Sequence, residues 1–110
     1  MFGLFRKNRD SHQNIGLGEF EELRKQTDSI VLDVRTPKEI AAGAIPNHVA
    51  IDVSAPDFKE RVAKLDPSNT YLVYCRSGMR SAKACRIMSK LGFQSLYNFK
   101  GGITAWNSTK

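Results

Sequence analysis

Cysteine is scarce in this sequence, histidine equally so, long apolar runs are missing, and acidic side chains stop at Asp66. Each shortage excludes something. Two cysteines, Cys75 and Cys85, cannot staple a disulfide scaffold, and they stand in no CxxC or Cys/His pattern that would suggest zinc, so no metal site is expected. No stretch approaches the ~20 apolar residues that span a bilayer. The opening MFGLFRKNRD has an apolar run too short for a signal-peptide core, and its charges follow that run. The expectation is a soluble, cytoplasmic protein without a membrane span. Internal repeats and low-complexity tracts are also missing, and 110 residues of 41% hydrophobic content supply one compact core and too little for two ordinary domains. Residues 1–13 are read as a flexible basic arm and 14–110 as the folded domain.

What is present is unevenly placed. Residues 1–66 carry ten Lys/Arg against eleven Asp/Glu, whereas 67–110 carry seven Lys/Arg and no acid, so the net charge of +6 belongs to the half that holds both cysteines. A solvated basic face accounts for such a surplus, and a cationic field that lowers a thiol's pKa accounts for it equally. Nucleic-acid binding would rest on charge alone, because no aromatic and basic platform or recognition-helix motif accompanies it. No specific nucleic-acid partner is expected.

Along the chain, IVLDV at 30–34, TYLVYC at 70–75 and QSLYNF at 94–99 have the apolar, β-branched composition of buried strands. GEFEELRKQ at 18–26, PKEIAAG at 37–43, APDFKERVAKL at 55–65 and RSAKACRIMSKLG at 80–92 fit helices, with Pro37 and Pro56 as first-turn prolines and Gly92 as a stop. The alternation predicts an α/β fold: a small, mostly parallel sheet with helices on both faces. In the helix over 80–92, Ala84, Ile87, Met88 and Leu91 form an apolar stripe towards the sheet, Lys83, Arg86 and Lys90 lie opposite, and Cys85 falls at the flank as a half-buried small hydrophobe.

Cys75 is placed differently. It ends a buried strand, and Arg76, Ser77, Gly78, Met79, Arg80 and Ser81 carry the chain through a tight loop into a helix. Open α/β sheets build their sites at such carboxyl ends. Gly78 lets the loop turn so that successive N–H groups point inward as an anion nest beside the helix N-terminus. With Arg76 and Arg80 nearby, the thiol of Cys75 is expected to ionise well below the ~8.5 of a free cysteine. A buried strand-end cysteine with no role is the plain alternative. Two guanidiniums, a glycine and two hydroxyls gathered at that junction are not needed for packing, and they favour chemistry.

This segment resembles the active loop of the rhodanese family, matched by Cys75 to Arg80 followed by Ser81. Asp33-Val34-Arg35 is similar to the family's strand-end Asp-x-Arg, Glu39 to its following glutamate, Ile45-Pro46 to its Ile-Pro turn, and Gly101, Gly102 and Trp106 to its late Gly-Gly-x-x-x-Trp. The likeness spans residues from about 15 to 107; it departs at Ala44, where many members carry a histidine, and at His48, a few positions downstream. The resemblance implies a sulfurtransferase in which Cys75 carries sulfur as a persulfide. A small anionic sulfur donor such as thiosulfate loads it, and cyanide, a thiol or a sulfur-relay protein unloads it, without metal or organic cofactor. The loop from Arg76 to Ser81 would hold the anion. The resemblance also implies that Asp33 and Arg35 brace the loop. Arg80 is expected both to face the ligand and to be tied to a carboxylate, with Asp33 its natural partner. His12 and His48 are read as bystanders, and Trp106 with the Gly101-Gly102 turn as packing.

Two other readings stay open. Cysteine phosphatases and arsenate reductases resemble Cys-x5-Arg, but position 81 here is Ser and the arginine comes one residue earlier, giving a loop better sized for sulfur than for a tetrahedral oxyanion. A docking or regulatory module on the same fold is the second, since fold alone never establishes chemistry.

Overall fold

The computed structural model describes residues 11–109. Of the arm expected over residues 1–13, positions 1–10 therefore lie outside the described residues, and Gln13 opens the first strand. Elements follow in the order β1 (Gln13–Ile15), α1 (Leu17–Leu23), β2 (Ser29–Asp33), α2 (Pro37–Ala41), β3 (His48–Ala50), α3 (Phe58–Val62), β4 (Thr70–Tyr74), α4 (Met79–Lys90), β5 (Leu96–Phe99) and α5 (Gly102–Asn107).

The five strands form one sheet in the order β1-β5-β4-β2-β3, and every neighbouring pair is parallel. A parallel sheet needs cover on both faces, and alternate residues of the central strand supply each side. Tyr71, Val73 and Cys75 pack with Phe58 and Val62 of α3 and with Ala84, Cys85 and Met88 of α4. Leu72 and Tyr74 pack on the other face with Phe20 of α1 and with Ile103 and Trp106 of α5. The expected α/β architecture, with helices on both faces, is what the chain adopts. After β2 the chain moves outward to β3, and after β4 it moves the opposite way to β5. Their carboxyl ends, Asp33 and Tyr74, are paired in register, so the crevice typical of open α/β sheets falls where Asp33-Val34-Arg35 meets Cys75.

Some local readings need correction. The edge strands β1 and β3 went unpredicted, because Gln-Asn-Ile and His-Val-Ala are three residues each and lack an apolar run. The helix expected over 55–65 forms only at Phe58–Val62; turns occupy residues 55–57, so Pro56 precedes the N-cap Asp57 instead of opening the helix. Pro37 does open α2, beneath a capping box between Thr36 and Glu39. In α4 the buried stripe is Ser81, Ala84, Cys85 and Met88, at spacings of three and four. Cys85 thus sits at its centre, fully buried, while Leu91 is the exposed C-cap, where the chain leaves the helix through Gly92 at φ 100°. Phe93 takes its place, edge-on to Tyr71 at 5.3 Å.

Candidate functional site

Cys75 follows β4 directly, and its side chain is 1% exposed. The N–H of Gly78 points at Sγ from 3.2 Å and that of Ser81 from 3.4 Å, with the Ser81 hydroxyl also at 3.4 Å. Such a turn needs Gly78, which has φ 99°; a Cβ there would stand 2.6 Å from the carbonyl oxygen of Lys100. Burial is the largest single influence on the thiol and raises its pKa. The Ser81 hydroxyl, when its proton is turned to the sulfur, and the N–H groups of Ser81, Gly78 and Ser77 together outweigh burial and hold the pKa below the ordinary thiol range. Cys85 has no such donors, and burial pushes its thiol up to about 12. Both cysteines are free and buried.

The loop's carbonyls are turned the other way. The N–H of Ile103 donates to the Cys75 carbonyl at 3.0 Å and that of Thr104 to the Arg76 carbonyl at 3.3 Å, so the start of α5 holds the outside of the loop while its N–H groups face in. The approach is possible because Gly102, at φ 58°, has no Cβ; one would stand 2.5 Å from the Cys75 carbonyl oxygen and 2.4 Å from that of Arg76. The Gly101-Gly102 turn, read from sequence as packing, is part of the loop's support. Trp106 is packing, edge-on to Phe20 at 6.2 Å and beneath Arg24.

The arginines differ from expectation. Arg80 donates to both oxygens of Glu39 at 2.7 and 2.8 Å, a forked pair between the start of α4 and α2. Its carboxylate is thus Glu39 and not Asp33, because Arg35, two residues on, already occupies Asp33. The Arg80 guanidinium, helped by Thr36, holds the Glu39 pKa at about 2 despite partial burial. Arg35 binds both oxygens of Asp33, at 2.8 to 3.2 Å, and donates to the Gly43 carbonyl at 2.8 Å. This pair is buried, so an ordinary surface ion pair is excluded. Tyr74 completes the group: its hydroxyl donates to Asp33 Oδ2 and accepts from the Ile45 N–H at 3.0 Å. Asp33 and Arg35 therefore brace β4 and the turn at Gly43–Ile45, and their bonds do not reach residues 76–81. Arg76, Ser77 and Met79 are exposed, Met79 to 81%.

One residue of this centre escaped the sequence reading. Asn98 of β5 is buried; it accepts from the Ser81 hydroxyl at 2.5 Å and donates to the Gly78 carbonyl at 3.1 Å and to Asn14 Oδ1 at 3.0 Å. Its signal was a polar residue inside an apolar strand. Beside it, Gly78, Met79, Arg86 and Lys100 border a cavity of about 370 Å³. His48 bonds the Ile45 carbonyl at 2.8 Å, away from the sulfur. Among the described residues no group of three His, Cys, Asp or Glu stands ready to hold a metal, and no helix is long and apolar enough to cross a membrane.

The family described as the rhodanese-like domain matches residues 17–109. A sulfurtransferase of Allochromatium vinosum is 35% identical over 86 residues, covering 78% of each chain. A thiosulfate sulfurtransferase of Pseudoalteromonas translucida is 27% identical over 96 residues, 87% of this chain and 90% of its own. The crystal structure of a rhodanese-related protein from Thermoplasma volcanium superposes with a TM-score of 0.78 at 33% identity, covering 89% of this chain and 93% of the other.

Proposed function

Since the chain belongs to the rhodanese-like domain family, whose sulfurtransferase members support a sulfur-transfer activity, we propose that it moves sulfane sulfur from thiosulfate or a persulfide to cyanide or a thiol through a Cys75 persulfide. The observation that carries this reading is a buried sulfur aimed at by backbone N–H groups of Gly78 and Ser81, with no acid or base side chain bonded to it. That environment suits an anionic sulfur and offers no proton relay of the Ser-His kind.

In the first half-reaction the Cys75 thiolate attacks the outer sulfur of thiosulfate. A new S–S bond forms, the S–S bond of thiosulfate breaks, and sulfite leaves with its electron pair. The loop from Arg76 to Ser81 stabilises the negative charge on the terminal sulfur through its N–H groups, an electrostatic contribution that is set up before reaction. Arg76, unlike Arg80, is left to meet the incoming dianion. In the second half-reaction cyanide or a thiolate attacks the terminal sulfur and returns Cys75 as a thiolate. A sulfur-relay protein can serve as that thiol acceptor. Chemistry on a free thiolate and two unpaired cysteines support a reducing compartment such as the cytoplasm.

The test is intact mass after incubation with thiosulfate, followed by cyanide and a thiocyanate assay. A gain of one sulfur that is lost in Cys75→Ser, kept in Cys85→Ser and discharged by cyanide is expected. No sulfur gained from thiosulfate or from a persulfide donor sinks the reading, and phosphatase turnover that depends on Cys75 would replace it.

A further inference from the structure

The bonds around Ser81 leave a proton shortage. Asn98 Nδ2 faces the Gly78 carbonyl, which can only accept, so the amide oxygen must be the atom turned to Ser81. The Ser81 hydroxyl has one proton, and in this arrangement it donates that proton to Asn98 Oδ1 at 2.5 Å. Ser81 Oγ is then only an acceptor towards Cys75, which fits a protonated thiol as donor at 3.4 Å. A thiolate has no proton to give and needs the hydroxyl turned towards it. That turn would strip the buried Asn98 oxygen of its donor.

We propose that Asn98 is a positioning residue for sulfur transfer, which holds the Ser81 proton while Cys75 is a thiol and gives it up to the sulfur when Cys75 becomes an anion. The inference rests on Cys75 being the nucleophile. Asn98 acts through Ser81 and is not itself in contact with sulfur. Through its bond to the Gly78 carbonyl it also fixes the Gly78 peptide, whose N–H supports the anion without any rearrangement. The backbone donors are thus a constant contribution to the thiolate, and the hydroxyl is a contested one.

The other charged and titratable groups around Cys75 come from several elements. Arg76 is next to it in the chain, Arg80 and Cys85 belong to α4, Lys100 follows β5, and Asp33, Arg35 and Tyr74 at the neighbouring strand ends bond one another. The start of α5, from Gly102 to Thr104, brings no charged side chain. Asn98→Asp also removes the donor to the Gly78 carbonyl and sets a carboxylate in the cavity shared with Arg86 and Lys100, effects that do not pass through Ser81 and are therefore retained in the Ser81→Ala background.

The experiment follows alkylation of Cys75 by iodoacetamide against pH, read by mass at that residue, in the wild type, Asn98→Asp, Ser81→Ala and the double variant. A carboxylate takes the Ser81 proton more firmly than an amide, so Asn98→Asp is expected to raise the alkylation midpoint by about one pH unit or more. In the Ser81→Ala background the same change loses the hydroxyl route, and the shift is expected to fall to about half or less. Ser81→Ala alone is expected to move the midpoint by less than about half a unit, because the bond gained by sulfur is offset by the bond lost at Asn98. That third measurement decides the matter if Asn98→Asp does not fold. A midpoint unmoved by Asn98→Asp, an equal shift with and without Ser81, or a rise of about one unit in Ser81→Ala alone would overturn the proposal. Sulfur loading is read separately. A wild type that takes up no sulfur but shows these shifts defeats the transferase reading and leaves the proton arrangement intact.

Discussion

Tyr74 illustrates how much one hydroxyl holds at this site. It is fully buried, its pKa is raised first by burial and then by Asp33, and its oxygen joins a strand end to a turn. Tyr74→Phe keeps the ring under Arg35 and removes only the hydroxyl, leaving the buried Ile45 N–H without an acceptor. A loss of about 1–3 kcal/mol in urea unfolding is expected; no loss would mean that the turn finds another acceptor. Glu39 gives a prediction with a sign in pH. Its pKa is lowered from 4.5 to about 2, mainly by Arg80, so the pair's contribution is complete above the unfolded value and is lost as pH falls through the folded one. Wild type should exceed Glu39→Gln in stability by about 1 kcal/mol at neutral pH, after allowance for solvent screening, and the difference should close as pH falls from 4.5 towards 2. A gap that persists at the acid end would assign it to packing or capping.

Among the elements, α5 has a task that its position in the core does not suggest. Its first N–H groups hold the carbonyls of Cys75 and Arg76, and Gly102 permits the approach. Gly102→Ala introduces both an unfavourable φ of 58° and a carbon 2.4 Å from a carbonyl oxygen. Thermal unfolding should show a cost of at least about 2 kcal/mol, and Cys75 should alkylate more slowly at neutral pH as its N–H cradle is pushed out of line. An unchanged alkylation profile would separate α5 from the loop. The central elements were legible because β2, β4 and α4 carry strong apolar patterns, and Cys75 was legible because it stands where a strand run stops and a glycine turn begins. The exchange of partners was not. Which acid binds Arg80 depends on how α2 lies against α4, and residue spacing along the chain says nothing of it. Asn98 and Gly102 act through contacts to residues 17 or more positions earlier, so their roles appear only once β5 and α5 are set beside the loop.

At the level of the molecule, the acid-free stretch from residue 67 onward surrounds the sulfur site with exposed cations. Arg76 lies on the loop, Arg86 and Lys100 border the adjoining cavity, and Arg80 is already neutralised by Glu39. An anionic donor should be drawn to this side over about a Debye length, ~10 Å at 0.1 M salt. The kcat/KM for thiosulfate is expected to fall several-fold between about 0.05 and 0.5 M neutral salt, while alkylation by uncharged iodoacetamide stays level. Equal salt dependence of the two would show that the charge surplus has no part in recruitment. The contact between residues 102–104 and the loop also bears on chain synthesis. A nascent polypeptide that has emerged only as far as α4 possesses Cys75 but lacks the peptide groups that orient its cradle. Its sulfur is therefore expected to behave as an ordinary thiol until translation delivers the Gly101-Gly102 turn and α5 docks against the Cys75 and Arg76 carbonyls.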